Sequence, residues 1–256
     1  MIHRINIFDK KIVITLLQLL IIFQHILNVR GDNNEKDIFD NGNEYIVNNA
    51  DEFLEVLNAL NDTRTIVVNG EFDGFPKEIK INPPTNNGSL KIRGVNRKTS
   101  ALRFVTGTIG LTFSNLDTVE IENLTFRGRL NFKNLKELKV HDIDHIGLFD
   151  TSGTQEGGYV SIKNYNFTSN DGKTRTNSVK FNAGGSTFIE DSIFTASIGC
   201  TESIIKYNGR DCDVIDFSIK NSTFDCQHFA NAIIIQVSNF TLESSQFYNG
   251  YSKKQG

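Results

Sequence analysis

Apolar and polar residues alternate in short segments along most of the chain, and these segments repeat. Two consecutive segments, 110–126 and 129–145, align without a gap, so that Ile121 matches Val140. Apolar residues spaced by two are typical of a β-strand, whereas a helix spaces them by three or four. Each of the two segments therefore contains two short strands, separated by a turn that carries an asparagine.

The second strand of this unit recurs down the chain as apolar-x-apolar-x-Asn/Asp, with an aromatic residue five positions after the second apolar one. The equivalent inward apolar residues are Ile121, Val140, Ile162, Ile189, Ile219 and Leu242. The turn column is Asn123, Asp142, Asn164, Asp191, Asn221 and Ser244, and the aromatic column is Phe126, Phe167, Phe194, Phe224 and Phe247. We expect the aromatic column to stack inside the fold and the turn column to form a polar ladder between coils.

Repeats of this length predict a solenoid rather than a sheet whose strands are joined by helices. The coils are about 20 to 30 residues long, which is too short for a helical crossover between parallel strands. The sequence therefore predicts an all-β fold, a right-handed parallel β-helix of about seven to eight coils over residues 45–250. An amphipathic helix is predicted at 49–60, with Asn49 as N-cap and Glu52 in the first turn, where it caps the open end of the solenoid.

The order of these segments resembles that of the pectin-lyase-like superfamily of right-handed β-helix proteins. The resemblance rests on the predicted helix, on Thr65-Ile-Val-Val-Asn-Gly70, on Leu90-Lys-Ile-Arg-Gly94, and on the serial coils that follow. The superfamily includes polysaccharide lyases, glycoside hydrolases and non-catalytic surface proteins. The resemblance therefore implies a fold and leaves the activity open.

The N-terminus has the order of a secretory signal peptide, with basic residues up to Lys11 followed by an apolar run. We expect residues 1–29 to be that signal peptide, 30–44 a flexible linker, and 251–256 a tail or the cut end of a longer solenoid. The alternative is that residues 12–29 remain as an uncleaved signal anchor in a membrane. In either case the sequence predicts that the β-helix is secreted or extracellular.

Two further features fit the secretory pathway. Asn-x-Ser/Thr sequons, which predict N-glycosylation, lie at Asn61, Asn87, Asn123, Asn166, Asn221 and Asn239. The three cysteines, Cys200, Cys212 and Cys226, predict one disulfide in an oxidising compartment, and the sequence leaves its pairing open.

The charge of the chain excludes one large class of partners. The formal net charge is -3 at pH 7, and 22% of the residues are charged. Nucleic acid binding requires a basic patch or stripe, which this sequence does not contain. We therefore expect no nucleic-acid partner.

The residues that flank each inward position face solvent, where an enzyme of this superfamily would carry its acids. These outward residues are Lys91 and Arg93, Glu120 and Glu122, Lys139 and His141, Ser161 and Lys163, Phe188 and Glu190, Ser218 and Lys220, and Thr241 and Glu243. Their charges largely alternate in sign from coil to coil, which predicts ion pairs between neighbouring strands. Glu120 and Glu122 lie together and are candidates for a catalytic carboxylate pair.

The segment from His141 to His145 departs most from the repeat. One interpretation places Asp142 in the turn ladder and His145 as a buried ring in the aromatic column. The other is a metal or acid-base cluster of His141, Asp142, Asp144 and His145. Strand alternation puts His141 and Asp142 on different sides, which argues against that cluster. No metal and no cofactor is predicted, and calcium is expected only if the chain is a lyase.

Together these features favour a secreted or cell-surface β-helix without a catalytic site, which has a structural, adhesion or carbohydrate-binding role. The expected partners are polysaccharides or cell-surface glycans, and end-to-end self-association through open strand edges is a further expectation. The alternative is a polysaccharide lyase or glycoside hydrolase. Outward carboxylates that converge from adjacent coils would distinguish the enzyme from the scaffold.

Overall fold

The recurring apolar-x-apolar segments form strands that pair in parallel, and the chain winds them into a β-solenoid of about six turns. The computed structural model describes residues 39–40, 44–60, 64–84, 88–151, 154–169, 175–182, 185–198, 200–208, 216–237 and 239–250. The predicted signal peptide, most of the predicted linker, Asn61, Asn87, Cys212 and residues 251–256 lie outside these ranges. The predicted fold class, an all-β parallel β-helix with a helix near its N-terminal end, is confirmed, although the described residues form about six turns rather than the seven to eight coils expected.

Three faces of stacked strands enclose the core. The first face contains β2 (Glu44–Val47), β3 (Arg64–Val68), β6 (Gly88–Gly94), β13 (Ser186–Glu190), β16 (Asp216–Lys220) and β19 (Asn239–Glu243). The second contains β4 (Glu71–Phe75), β7 (Ala101–Phe104), β14 (Ile193–Thr195), β17 (Thr223–Asp225) and β20 (Gln246–Tyr248). The third contains β5 (Ile79–Ile81), β8 (Gly110–Phe113), β12 (Arg175–Asn182), β15 (Cys200–Asn208) and β18 (Asn231–Gln236).

Three long strands bend around the corners and belong to more than one face. They are β9 (Leu116–Phe132), β10 (Leu135–Thr151) and β11 (Thr154–Ser169). The short strand β1 (Phe39–Asp40), in the segment predicted as a linker, pairs antiparallel with β2. The other pairings between described strands are parallel.

The strand pairing confirms the predicted register of the first face. Each residue of the inward column pairs with the next one along the solenoid. The column consists of Ile121, Val140, Ile162, Ile189, Ile219 and Leu242. Its members up to Ile219 are at most 1% exposed, whereas Leu242 is 44% exposed. Leu242 differs because, among the described residues, no strand stacks on the far side of β19.

The aromatic column lies on the second face. The sequence pattern did not show that this column and the inward apolar column lie on different faces. His145 lies in register between Phe126 and Phe167, as predicted for the position where the column departs from phenylalanine. Further along, the rings of Phe194 and Phe224 stack with centroids 5.0 Å apart. Each such pair adds about 0.5–1.5 kcal/mol beyond the burial of its area.

The helix α1 (Ala50–Asn58) begins after the predicted N-cap, Asn49. The Asn49 side chain accepts a hydrogen bond of 3.0 Å from the backbone N–H of Glu52. Phe53 is fully buried, and its ring packs on Phe72 of the second face. The helix therefore covers the N-terminal end of the core, although β2 precedes it and already belongs to the first face. Within the described part of the chain, no helix has the length and apolar character needed to cross a membrane.

The turn column owes its composition to backbone conformation. Its six members have left-handed φ angles between 47° and 57°. Asparagine and aspartate tolerate this region better than other non-glycine residues, which explains why they recur there. The side chains also link the coils, as predicted, because the Asn221 amide donates to Asp191 at 3.3 Å and the Asn123 amide donates to the Gly94 carbonyl at 3.1 Å.

A second ladder, of serines, follows the turn column and was not predicted. Ser192, Ser222 and Ser245 each donate a hydrogen bond to the carbonyl two residues earlier, at 2.6, 2.8 and 2.9 Å. Each hydroxyl also accepts from a backbone N–H in the preceding coil, namely that of Tyr165, Ser192 and Ser222, respectively. The serines therefore satisfy backbone groups at the corner between the first and second faces.

Replacing Ser192 with alanine is expected to lower the free energy of unfolding by about 1–3 kcal/mol, because the buried N–H of Tyr165 loses its acceptor. Urea denaturation followed by circular dichroism measures this loss. Ser245→Ala is the matched control, because Ser245 is half-buried and water can replace its hydrogen bonds. Equal losses for the two variants would contradict a role for the buried ladder.

The two described cysteines do not form the predicted disulfide. Cys200 and Cys226 are buried free thiols. Burial raises the pKa of both thiols, which keeps them protonated. The Cys200 thiol donates a hydrogen bond of 3.0 Å to the Ser203 carbonyl.

Candidate functional site

Four outward side chains from three neighbouring strands of the first face meet in one group. Glu120 and Glu122 lie on β9, Lys91 on β6 and His141 on β10. The strand pairing places Glu120 beside Lys91, and Glu122 beside His141. Because Ile121 between the two glutamates is inward and buried, strand alternation turns both carboxylates outward. We name these four residues the first-face cluster.

Within the first-face cluster, two cationic side chains hold the two carboxylates from opposite sides. The Lys91 ammonium lies 2.9 Å from a Glu120 oxygen and 2.7 Å from a Glu122 oxygen. On the other side, His141 Nε2 lies 3.1 Å from Glu120 Oε1 and 3.0 Å from Glu122 Oε2. The side chains are 18% to 32% exposed, so the cluster is half-buried and open to water on one side.

The charges in the cluster stabilise one another. Burial alone would raise the pKa of Glu120, but hydrogen bonds and charges from Lys91 and His141 outweigh it and lower that pKa. Burial alone would lower the pKa of His141, but hydrogen bonds to Asp142 and Glu120 and the charge of Glu122 raise it. The Lys91 pKa is raised for the same reason, against burial. The Glu120 carboxyl is therefore held ionised.

Asp142 contacts His141 on the side of the imidazole that faces away from the two glutamates, contrary to the prediction from strand alternation. The Nδ1 atom of His141 lies 3.1 Å from Asp142 Oδ2. Strand alternation predicted that these two side chains lie on different sides, and this prediction was wrong. The reason is that Asp142 has a left-handed φ of 57°, so the regular pairing of β10 skips this residue and the carboxylate turns outward beside the imidazole.

Asp144 and His145 lie apart from His141, so the structure does not bring together the four-residue metal or acid-base cluster considered above. Asp144 pairs with the Arg97 guanidinium. His145 is 1% exposed, its Nε2 lies 2.8 Å from the Gly128 carbonyl, and its Nδ1 contacts the Tyr165 hydroxyl. His145 is the buried, hydrogen-bonded ring of the first interpretation.

The rest of the first face confirms the predicted pairing of charges. Arg93 on β6 pairs with Glu44 on β2, across the intervening strand β3. Further along the solenoid, Lys163 lies 3.7 Å from Glu190, and Lys220 lies 3.3 Å from Glu243. Glu44, Glu190 and Glu243 of this face are thus paired with basic residues from other coils.

An aromatic pair lies on the same face. Tyr159 is 38% exposed, and its ring lies 5.3 Å from that of Phe188 on the next coil. Phe188 is flanked in register by Ser161 and Ser218. Phe188 is outward as predicted, whereas Tyr159 was not among the predicted outward residues. Tyr159 directly precedes the inward Val160, so alternation alone assigns it outward.

The described sequons differ in accessibility. Asn166, Asn221 and Asn239 are exposed. Asn123 is half-buried, and its amide group donates to the Gly94 carbonyl while its oxygen accepts from the Arg97 N–H at 3.1 Å.

Comparison of the chain with models of protein families, with curated proteins and with solved structures finds no match.

Proposed function

We propose that the chain is a secreted, non-catalytic β-helix of the pectin-lyase-like type, which binds extracellular glycans through the first face. The observation that carries this proposal is the outward Tyr159–Phe188 pair, in which Tyr159 is exposed and Phe188 half-buried, on a face where Glu120 and Glu122 are held in ion pairs. The signal-peptide pattern and the exposed sequons Asn166, Asn221 and Asn239 support an extracellular location.

The state of the carboxylates argues against the lyase and hydrolase alternatives. A glycoside hydrolase needs one carboxyl group with a raised pKa as its general acid. In the first-face cluster the Glu120 pKa is lowered instead. A calcium-dependent lyase needs carboxylates that together supply six or more oxygen ligands, and the first-face cluster offers two carboxylates beside a lysine and a histidine.

The surroundings of Tyr159 and Phe188 suit a sugar ring. An exposed aromatic ring offers apolar contact to the C–H face of a pyranose, and neighbouring polar groups bind its hydroxyls. The half-buried Ser161 flanks Phe188 in register, and the exposed Lys163 lies on the same strand as Ser161. The arrangement therefore supports recognition of a glycan along the first face.

Glycan binding by the secreted, full-length chain on an immobilised glycan array tests this proposal. We expect binding to at least one class of polysaccharide, and a loss of about tenfold or more in affinity for the Tyr159→Ala/Phe188→Ala variant. The matched control is Ile146→Ala/Ile193→Ala, which removes exposed apolar side chains from the second face instead. The control is expected to bind as the parent chain does.

Two results would contradict the proposal. One is equal binding by the parent chain and the aromatic double variant, which would place the glycan elsewhere. The other is the release of soluble oligosaccharide from pectic or alginate substrates, with or without calcium, which would establish the enzyme alternative.

A further inference from the structure

We propose that Glu120, Glu122 and His141 form a binding site for a divalent transition-metal ion of the zinc class, in competition with the Lys91 ammonium. This inference is independent of glycan binding. It assigns a ligand to the first-face cluster, for which the sequence predicted no metal.

The donor atoms are close enough for one ion. One ligand atom from each of Glu120, Glu122 and His141 can be chosen so that all three lie within 4.8 Å of one another. His141 Nε2 lies 3.1 Å from Glu120 Oε1 and 3.0 Å from Glu122 Oε2. Two ligands bound at about 2.1 Å are roughly 3.0 to 3.4 Å apart in octahedral or tetrahedral geometry. Small rotations of the two glutamate side chains are therefore sufficient to close the site.

The histidine is oriented as a metal ligand. In metal sites a ligating imidazole donates its other N–H to a carboxylate, which fixes the tautomer and the ring orientation. Here the Asp142 carboxylate accepts from Nδ1 of His141 at 3.1 Å, and Nε2 points toward the two glutamates. Asp142 is fixed in turn, because the Asn164 amide donates to its other oxygen.

The donor set selects the class of metal. Calcium takes six to eight oxygen ligands, and this site offers two carboxylates and one nitrogen. An imidazole with carboxylates suits zinc and the neighbouring first-row ions. Because the side chains of Glu122 and His141 are 18% and 31% exposed, water can reach the ion and complete its coordination.

Lys91 shows that the pair of glutamates attracts a cation. Its ammonium lies within 2.9 Å of both carboxylates, and its side chain is 32% exposed on a flexible stem. A bound divalent ion would repel the ammonium into solvent, so metal binding and the Lys91 ion pairs exclude each other. Removing the lysine charge should therefore strengthen metal binding, which a purely structural ion-pair cluster does not predict.

Isothermal titration calorimetry of the untagged, secreted chain with zinc chloride alone tests the proposal. We expect one zinc ion per chain in the parent protein, at least tenfold weaker binding in His141→Gln, and severalfold tighter binding in Lys91→Met. The matched control is Lys163→Met, because Lys163 pairs with Glu190 and Asp191 without a histidine and its loss should leave zinc binding unchanged. Cobalt(II) absorption is recorded in parallel, because thiolate ligation by Cys200 or Cys226 gives a charge-transfer band that glutamate and histidine do not.

Each outcome either supports or overturns the proposed metal site. Stoichiometric binding that is weakened by His141→Gln and strengthened by Lys91→Met supports the site. The absence of binding in both the parent chain and Lys91→Met would overturn it. Binding that His141→Gln leaves unchanged, or that carries the thiolate band, would also overturn it. Circular dichroism of each variant confirms that it is folded.

Discussion

Replacing Gly147 with alanine is expected to destabilise the β-helix by about 3–5 kcal/mol, which is a large part of the stability of a domain. Gly147 lies on β10 in register with Gly128 on β9, and its φ is +153°. A Cβ at this position would lie 1.8 Å from the Gly128 carbonyl oxygen. The blocking atom belongs to the backbone of the adjacent coil, so relief requires that the two strands separate.

Gly74→Ala is the matched control for this prediction. Gly74 also has a positive φ, +81°, but a Cβ there would meet nothing within 4 Å. Its loss should reflect backbone strain alone, about 1 kcal/mol. Urea denaturation of both variants compares the two costs. A Gly147→Ala variant that is no less stable than Gly74→Ala would show that the coils are not packed as closely as the structure describes.

The register of the first face was predictable because it depends on a local pattern that repeats. Ile121 and Val140 each stand two residues before an Asn or Asp turn, and a parallel stack places equivalent residues in register. The N-cap of α1 at Asn49 is equally local, since Glu52 is only three residues away.

The chemistry of the first-face cluster was only partly predictable. The alternation of charge indicated that Glu120 pairs with a residue of the preceding coil, and Lys91 does so across 29 residues of sequence. The position of Asp142 was not predictable from alternation, because a single left-handed residue reverses the direction of its side chain. Nor does the pattern alone show that Lys91 and His141 contact both glutamates, since that depends on side-chain conformations between three coils.

The serine ladder illustrates the same limit. Ser192 and Ser222 directly follow turn residues in the sequence, so the repetition was visible. Their function was not visible, because it depends on the backbone N–H groups that the corner leaves without a strand partner. Repeats therefore disclose which residues are equivalent, whereas the contacts between coils disclose what the equivalent residues do.

The environment of His145 leads to a second large effect, a loss of stability in mild acid. His145 Nε2 donates to the Gly128 carbonyl at 2.8 Å, and the Tyr165 hydroxyl donates to Nδ1, so the neutral ring has both nitrogens satisfied. Burial lowers the pKa of His145 from 6.5 to about 4, against the hydrogen bond to Gly128, which raises it. Tyr165 is the titratable group in contact with the ring, and burial raises its pKa, so it stays neutral.

The sign of the pH dependence follows from the pKa of His145 in the unfolded chain, 6.5, and in the folded chain, about 4. Between pH 6.5 and about 4 the unfolded chain binds a proton on His145 that the folded chain does not, so stability falls as the pH falls through this window. The full difference is roughly 3 kcal/mol, because one pKa unit corresponds to about 1.4 kcal/mol. Above pH 6.5 the contribution of His145 is constant.

The variant His145→Phe/Tyr165→Phe isolates this effect. It restores phenylalanine to the column between Phe126 and Phe167 and removes the tyrosine hydroxyl that would otherwise lose its acceptor. We expect this variant to lose about 1–2 kcal/mol at pH 7, since the Gly128 carbonyl loses its donor. Urea denaturation at pH 7 and pH 4 gives the free energy of unfolding at each pH. The decrease in this free energy from pH 7 to pH 4 should be smaller in the variant than in the parent chain by roughly 3 kcal/mol. The carboxylates titrate alike in both proteins, so equal pH dependence in the two would mean that His145 accepts a proton in the folded state.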